Sequence, residues 1–260
     1  MPEQLLPKYQ KPPVVEVAIS VFFKPLPLFK SAHFGRFWDL NPDYVSAEDQ
    51  PPVFDGGGLP PGSILGPFPR VFLVTENSNY VIQLQTDFFA HNWRKVRPDD
   101  AYPSFEKAKG LFLERWRVFG DFVRDNKLGD LHLSRYEVTY VNHFAEEDQG
   151  AFPLAISKYS PLIVLRESGK DDFLPNARAL SADLQFEIRE SKGILKVSLR
   201  QGVRPLDQRD VMQMDLSARS DAKPDGSDMA EWLEVAHEWI VRGFTELTTP
   251  DAHQKWERIQ

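Results

Sequence analysis

The 260-residue chain contains no cysteine, which excludes disulfides, thiol nucleophiles and zinc–thiolate sites. It also has no run of about 18 consecutive apolar residues, the length that a membrane-spanning helix needs. The N-terminal segment lacks the basic and apolar regions of a secretory signal. Basic residues are in the minority, since 31 Lys and Arg stand against 38 Asp and Glu and the formal net charge is −7. We therefore expect a cytoplasmic protein with no membrane partner and no general affinity for nucleic acid.

The motifs that hold phosphates, metals or nucleophiles are missing as well. Gly56-Gly57-Gly58 is not followed by the Gly-Lys-Ser/Thr of a phosphate loop, and the chain has no Gly-x-Ser-x-Gly elbow. His143 precedes the acidic run Glu146-Glu147-Asp148, but no second histidine is spaced to complete a metal site, so a solvated acidic turn is favoured. The sequence predicts no cofactor, no metal and no catalytic residue.

What the chain does have is a large apolar content in regular patterns. It is 42% hydrophobic with 19 Phe, 7 Tyr and 6 Trp, which is enough for more than one packed layer. Alternating or β-branched runs predict strands over 14–23, 70–76, 80–86, 88–96, 131–144, 183–190, 194–201 and 211–218. Three-and-four spacing predicts two long amphipathic helices, one capped by Ser104 and one by Ser227 and Asp228. Shorter helices are predicted over 28–40 and 152–159, and the Pro- and Gly-rich segment 42–69 is predicted to be irregular.

The order of these elements indicates an internal duplication. Each half reads strand, short helix, at least two strands in a hairpin and a long helix, with offsets of about 121 to 126 residues between matching positions. We therefore predict an α+β fold of two tandem β-α-β-β-(β)-α units, with antiparallel sheets and long helices packed on one face. The units span 14–129 and 130–248, between an N-terminal arm (1–13) and a C-terminal tail (249–260). The alternative is that any two amphipathic helices and Val-rich strands align this well.

The strand predicted over 131–144 carries the candidate binding residues. Both of its faces are partly apolar, which favours a central strand covered on each side. Within it stand Arg135, Glu137, Tyr140, Asn142 and His143, polar groups that are costly to bury unless they are paired. The simpler interpretation is structural: Asn142 ties a neighbouring strand, and Arg135 pairs with Glu137.

A second candidate surface combines rings and cations. Asp87, His91, the run Trp93-Arg94-Lys95 and Arg97 lie close in sequence to three arginines of the first long helix. Such interleaving is typical of single-stranded nucleic-acid binding. The net negative charge of the chain and the absence of an RNA-recognition pattern favour a solvated helix face instead. Binding of nucleic acid is therefore the weaker expectation.

Three short motifs resemble those of a sporadically distributed family of prokaryotic proteins of about this length. They are the opening Pro12-Pro13-Val14-Val15-Glu16, the mid-chain Tyr140-Val141-Asn142 and the closing region 244–256. Family members often carry a basic residue directly before the Tyr, where this chain has Thr139. The resemblance covers essentially the whole chain, and it implies no enzymatic activity.

These observations predict a non-catalytic binding or regulatory protein that recognises a protein partner or a small ligand. The alternative is an enzyme of unrecognised type with a polar pocket around the central strand. A single-stranded nucleic-acid binder is the third and weaker alternative, because a similar layout of strands and helices does not carry function.

Overall fold

The computed structural model describes residues 5–53, 70–146, 151–204, 207–220 and 228–260. In this part of the chain the strands are β1 (Val14–Phe23), β2 (Tyr44–Gln50), β3 (Arg70–Thr75), β4 (Tyr80–Gln85), β5 (Phe88–Arg94), β6 (Leu133–Ala145), β7 (Ser181–Ile188), β8 (Gly193–Val203) and β9 (Asp210–Ser220). The helices are α1 (Ser31–Asp39), α2 (Phe105–Asp125), α3 (Met229–Glu246) and α4 (Pro250–Lys255). Among the described residues, no helix combines the length and the apolar character that crossing a membrane requires.

The nine strands form one antiparallel sheet in the order β2-β3-β4-β5-β1-β6-β9-β8-β7. The predicted α+β class is confirmed, with a single sheet in place of separate ones. The tandem duplication and the packing of the long helices on one face stay predictions.

Three segments differ from the sequence prediction. Strand β2 lies inside the stretch predicted to be irregular. It is an edge strand, and its exposed residues lack the apolar alternation from which a strand is predicted. The predicted helix over 152–159 is a short 3-10 helix, Leu154–Lys158. The predicted tail contains α4, where the Thr249 hydroxyl accepts the backbone N–H of Ala252 at 3.2 Å and Pro250 takes the first turn. The Gly56–Gly58 run and the Ser227 cap lie outside the described residues.

The chain divides into two compact units, which we name by their strands. The β1–β5 unit consists of Glu16–Val138 and Ser220–Leu233. The β7–β9 unit consists of Met1–Val15, Thr139–Arg219 and Glu234–Gln260.

The core of the β1–β5 unit is built from phenylalanines. The apolar residues of α2 recur every three or four positions, so one side of the helix meets the sheet. Phe119 lies at the centre, with ring centroids 5.2 Å from Phe89 of β5, 5.7 Å from Phe23 of β1 and 5.6 Å from Phe37 of α1. These contacts fasten both α1 and α2 to the sheet of this unit.

In the β7–β9 unit an aromatic cluster lies beside the end of α3. Neighbouring ring centroids are 5.0 to 6.5 Å apart, and the members are Tyr9, Phe144, Tyr159, Phe244 and Trp256. Trp256 of the predicted tail is therefore a core residue, and α4 is held by its burial. Directly before Phe244 in α3, a Cβ added to Gly243 would lie 3.0 Å from Leu195 Cδ2 of β8. Glycine at this position allows the helix and the sheet to approach closely, as its place in the apolar stripe of α3 predicts.

We predict opposite responses to substitution at two helical glycines. Gly110→Ala in α2 should raise the free energy of unfolding by about 0.5–1 kcal/mol, because Ala is the better helix former and the added Cβ meets no atom within 4 Å. Gly243→Val should lower it by about 1–3 kcal/mol, because Leu195 has to move. Urea unfolding of both variants is the measurement, and a Gly243→Val protein as stable as the wild type would contradict the close approach.

Candidate functional site

The two-residue period of β6 divides the five predicted binding residues. Every second residue from Tyr136 to Phe144 is buried, so Tyr140 and Asn142 stand in the buried row. Arg135, Glu137 and His143 stand in the alternate, partly exposed row. Arg135 and Glu137 belong to the β1–β5 unit, and the other three belong to the β7–β9 unit.

Arg135 and Glu137 form an ion pair on the sheet of the β1–β5 unit. Their charged groups are 3.5 Å apart, and their side chains are only 16% and 14% exposed. The Arg135 guanidinium also lies 4.1 Å from the centre of the Phe22 ring. Charges removed this far from water need a partner, and the Arg135 guanidinium and the Glu137 carboxylate are partners of each other. The structural interpretation made from the sequence is thus compatible with this geometry.

Other polar groups share this face of the same unit. Arg70 donates to Gln83 at 2.8 Å, and Asn92 Nδ2 donates to the Glu16 carboxylate. Burial lowers the pKa of Arg70, and the nearby Glu16 charge opposes that shift. Arg135 and Glu137 neutralise each other, and Arg70 and Glu16 each have a polar partner on a neighbouring strand, an arrangement that stabilises a buried polar face.

The three predicted residues of the β7–β9 unit contact three different neighbours. The Tyr140 hydroxyl is 3.0 Å from His237 Nδ1 of α3, and Asn142 Nδ2 donates to the Met214 carbonyl of β9 at 3.2 Å. His143 Nε2 is 3.4 Å from the Gln213 side chain, and burial lowers the pKa of His143 below its ordinary value. These side chains tie β6 to β9 and α3 within the unit, and they do not meet at one point.

Replacement of Asn142 by Ala should lower the free energy of unfolding by about 1–3 kcal/mol, because the change removes a buried hydrogen bond to Met214. For a chain of this size the melting temperature should fall by about 2–4 °C for each kcal/mol. Gln185→Ala, which removes an exposed amide on β7, is the control and should leave the melting temperature close to the wild-type value. An Asn142→Ala protein of unchanged melting temperature would rule out the structural role.

The candidate basic and aromatic surface around β5 does not expose its rings. His91 and Trp93 are each only 3% exposed, because they occupy the helix-facing row of β5. The Trp93 ring packs at 5.3 Å from Tyr102, and Arg94 Nε donates to the Ser78 carbonyl at 2.8 Å. The two rings needed for base stacking are therefore not accessible.

His91 belongs instead to a buried polar network that no local sequence pattern indicates. Its Nε2 is 2.8 Å from the Tyr44 hydroxyl, and its ring stacks at 5.8 Å on Tyr80. Arg115 lies 5.5 Å over the Tyr44 ring and donates to Asn41 at 3.3 Å. Burial, with a smaller contribution from the Arg115 charge, lowers the pKa of His91 to about 3. Tyr44 lies in the segment predicted to be irregular, so its pairing with His91 had no signal in the sequence.

This network predicts a loss of stability in acid. The pKa of His91 is depressed from 6.5 to about 3, so the unfolded chain binds a proton first as the pH falls. The stability present above pH 6.5 should therefore decline toward pH 3, by up to about 1.4 kcal/mol per pH unit from this group. His91→Phe should be less stable than the wild type at neutral pH and should show a shallower decline, whereas His132→Gln, at an exposed position, should keep the wild-type slope. Urea unfolding between pH 4 and 7.5 is the measurement, and equal slopes for wild type and His91→Phe would contradict the assignment.

An ordered loop of the β7–β9 unit presents apolar side chains to solvent. We call residues 166–176 the presenting loop. Phe173 in this loop is 97% exposed and Leu174 is 62% exposed, and Val164 just before it is also exposed. No sequence pattern points to this segment, because its charged and small residues have no periodicity.

Hydrogen bonds within the presenting loop hold it closed. Ser168 Oγ donates to the Leu174 carbonyl at 2.6 Å, and Arg166 Nη2 donates to the same carbonyl at 3.2 Å. The Asp172 carboxylate accepts the backbone N–H of Gly169 at 2.7 Å and pairs with Arg166. Phe173 is therefore carried by a loop whose backbone is held by hydrogen bonds among its own residues, a property of compact functional loops.

Comparison of the sequence with protein-family models and with curated proteins gives no match. The resemblance to the sporadically distributed prokaryotic family therefore stays a prediction. In the described part of the chain, no group of three or more His, Cys, Asp and Glu side chains is arranged to hold a metal ion.

Proposed function

We propose that this chain is a non-catalytic binding protein of the cytoplasm that recognises a protein partner through the presenting loop. The observation that carries the proposal is the exposure of Phe173 and Leu174 on a loop closed by its own hydrogen bonds. A few side chains supply most of the binding energy of a protein interface, and aromatic anchors that become buried on association are prominent among them.

The order of the loop favours a binding role for these side chains. Because Arg166, Ser168 and Asp172 already fix the backbone around Phe173, a partner would immobilise little additional chain. Less conformational entropy is then lost on association, and more of the apolar contact appears as affinity.

The charges of the presenting loop favour a protein over an anionic polymer or membrane. The loop carries two basic residues, Arg166 and Lys170, and three acidic ones, Glu167, Asp171 and Asp172. Nucleic acids and anionic lipids are recognised through an excess of positive charge, which this loop lacks.

The enzyme alternative expects a pocket in which at least two of Arg135, Glu137 and His143 converge. Arg135 and Glu137 lie 3.5 Å apart as an ion pair. Their mutual neutralisation nevertheless favours a stabilising role, so the binding function is preferred.

Affinity capture with the wild-type chain and with Phe173→Ser tests this function. A partner recovered from lysate of the source cells by the wild type should be recovered at least about tenfold less by Phe173→Ser, the loss expected when an interface anchor is removed. Direct titration of the purified partner by calorimetry should give the same ratio. The melting temperature of Phe173→Ser should match that of the wild type, since the ring is almost fully exposed.

Leu28→Ser is the matched control for this experiment. Leu28 is 56% exposed, close to the 62% of Leu174, but it lies in the β1–β5 unit. Leu174→Ser should reduce capture and Leu28→Ser should not. Equal recovery of the same proteins by the wild type and by Phe173→Ser would refute the proposed function.

A further inference from the structure

Among the strands that the structure describes, β7 is the last of the sheet, and none pairs with its outer side. It is the last strand in the order and pairs with β8 from Ser181 opposite Arg200 to Ile188 opposite Gly193. Five of its eight residues are exposed, two are partly buried, and only Ile188 is buried. An edge strand of this length is a template on which another strand can form.

The register shows which backbone groups face outward. Gln201 donates its backbone N–H to the Leu180 carbonyl at 3.3 Å, so Leu180 and every second residue after it turn their backbone groups toward β8. The intervening residues Ser181, Asp183, Gln185 and Glu187 therefore direct N–H and C=O groups away from the sheet. Within the described residues, no backbone hydrogen bond is made on this outer side.

The side chains on the two faces of β7 differ in character. Asp183, Gln185 and Glu187 are exposed on one face, while Leu184 and Phe186 stand on the other. Asp183 already accepts the Ser198 hydroxyl at 2.8 Å and lies 3.6 Å from Lys196, whereas no ion pair is made by Glu187 among the described residues. An added strand would thus meet acidic side chains on one face and apolar ones on the other.

We propose that β7 binds an extended segment of a partner protein in which basic residues alternate with apolar ones. The partner's backbone pairs with the outward groups of β7, its basic side chains face Asp183 and Glu187, and its apolar side chains cover Leu184 and Phe186. This inference rests on the protein-binding function proposed above and names the partner's chemistry, but it is carried by other residues than the presenting loop.

A second copy of the chain fits this edge less well. Antiparallel pairing of β7 with itself would bring Asp183 and Glu187 of one copy into the same row as Glu187 and Asp183 of the other. Like charges opposite each other on neighbouring strands are destabilising. The acidic row therefore selects a partner of opposite charge.

Binding of a defined probe tests the proposal. The probe is a fluorescein-labelled short peptide of alternating lysine and valine, and its binding to the full chain is measured by fluorescence anisotropy. Two controls keep its length and labelling: one replaces lysine by glutamate, and one carries N-methyl groups on alternate residues, which block strand pairing and keep the charge. The lysine peptide should bind at least about tenfold more tightly than either control, and its affinity should fall as salt is raised.

Variants of β7 locate the binding. Gln185→Pro removes one outward N–H without breaking a bond to β8, so the melting temperature should stay near the wild-type value while affinity falls about tenfold. Gln185→Ala keeps that N–H and should bind within about twofold of the wild type. Reversal of both charges in Asp183→Lys/Glu187→Lys should exchange the preference between the lysine and glutamate peptides.

Several results would overturn the proposal. They are equal binding of the N-methylated and parent peptides, equal binding of both charge types, or no binding of the lysine peptide at all. A dimer in solution that Gln185→Pro converts to monomer would show that the edge serves a second copy instead. Phe173→Ser should bind the lysine peptide normally, so loss of partner capture in that variant and loss of peptide binding at β7 report separately on the two proposals.

Discussion

The two-residue period of β6 is the constraint on which the placement of the polar residues depends. Its even-numbered residues from Tyr136 to Phe144 are buried, and its odd-numbered residues are partly exposed. A shift of one residue would exchange the two rows and bring Glu137 into the core in place of Val138. The hydroxyl of Tyr140 and the amide of Asn142 fit the buried row because each finds a hydrogen-bond partner there.

Several polar groups buried in this protein are paired with a neighbour of the same unit. Arg135 faces Glu137, Asn92 faces Glu16, and the imidazole of His91 faces the hydroxyl of Tyr44. Breaking one such pair leaves the other member buried without compensation, which costs more than the pair contributes. Charged residues within a strand are for this reason weak indicators of a binding site, and the exposed surface of each unit is the better place to look.

The sequence predicts the elements whose residues repeat regularly and misses those defined by distant contacts. The Phe and Trp spacing of α2 and the alternation of β3, β4, β8 and β9 are local patterns, so their positions follow from the sequence. Strand β2 has no such pattern. Tyr44 is its one buried residue, and the five residues that follow Tyr44 are exposed. Helix α4 is fixed by the burial of Trp256 against rings far away in the chain, which no local rule can show.

The candidate site follows the same division. The sequence correctly indicates that Arg135 and Glu137 lie side by side, because residues two apart on a strand share a face. It also places His91 and Trp93 together, but whether a strand face is covered depends on α2 and the other elements packed on it, so their burial had no local signal. The presenting loop cannot be predicted either. Whether a Phe is exposed is decided by the folded chain, and the loop has no periodic pattern that would indicate it.

The presenting loop and strand β7, both in the β7–β9 unit, share one physical property: their backbones are held by hydrogen bonds although their side chains are largely exposed. Phe173 adds no buried area to the core, yet its loop is closed by the hydrogen bonds of Ser168, Arg166 and Asp172. Strand β7 is likewise held by its ladder to β8, while no other strand in the described part of the chain pairs with its outer side. In both places the conformational entropy of ordering the backbone has already been offset by contacts inside the unit. Apolar or backbone contacts made there by another molecule would therefore add to affinity with little further ordering of this chain.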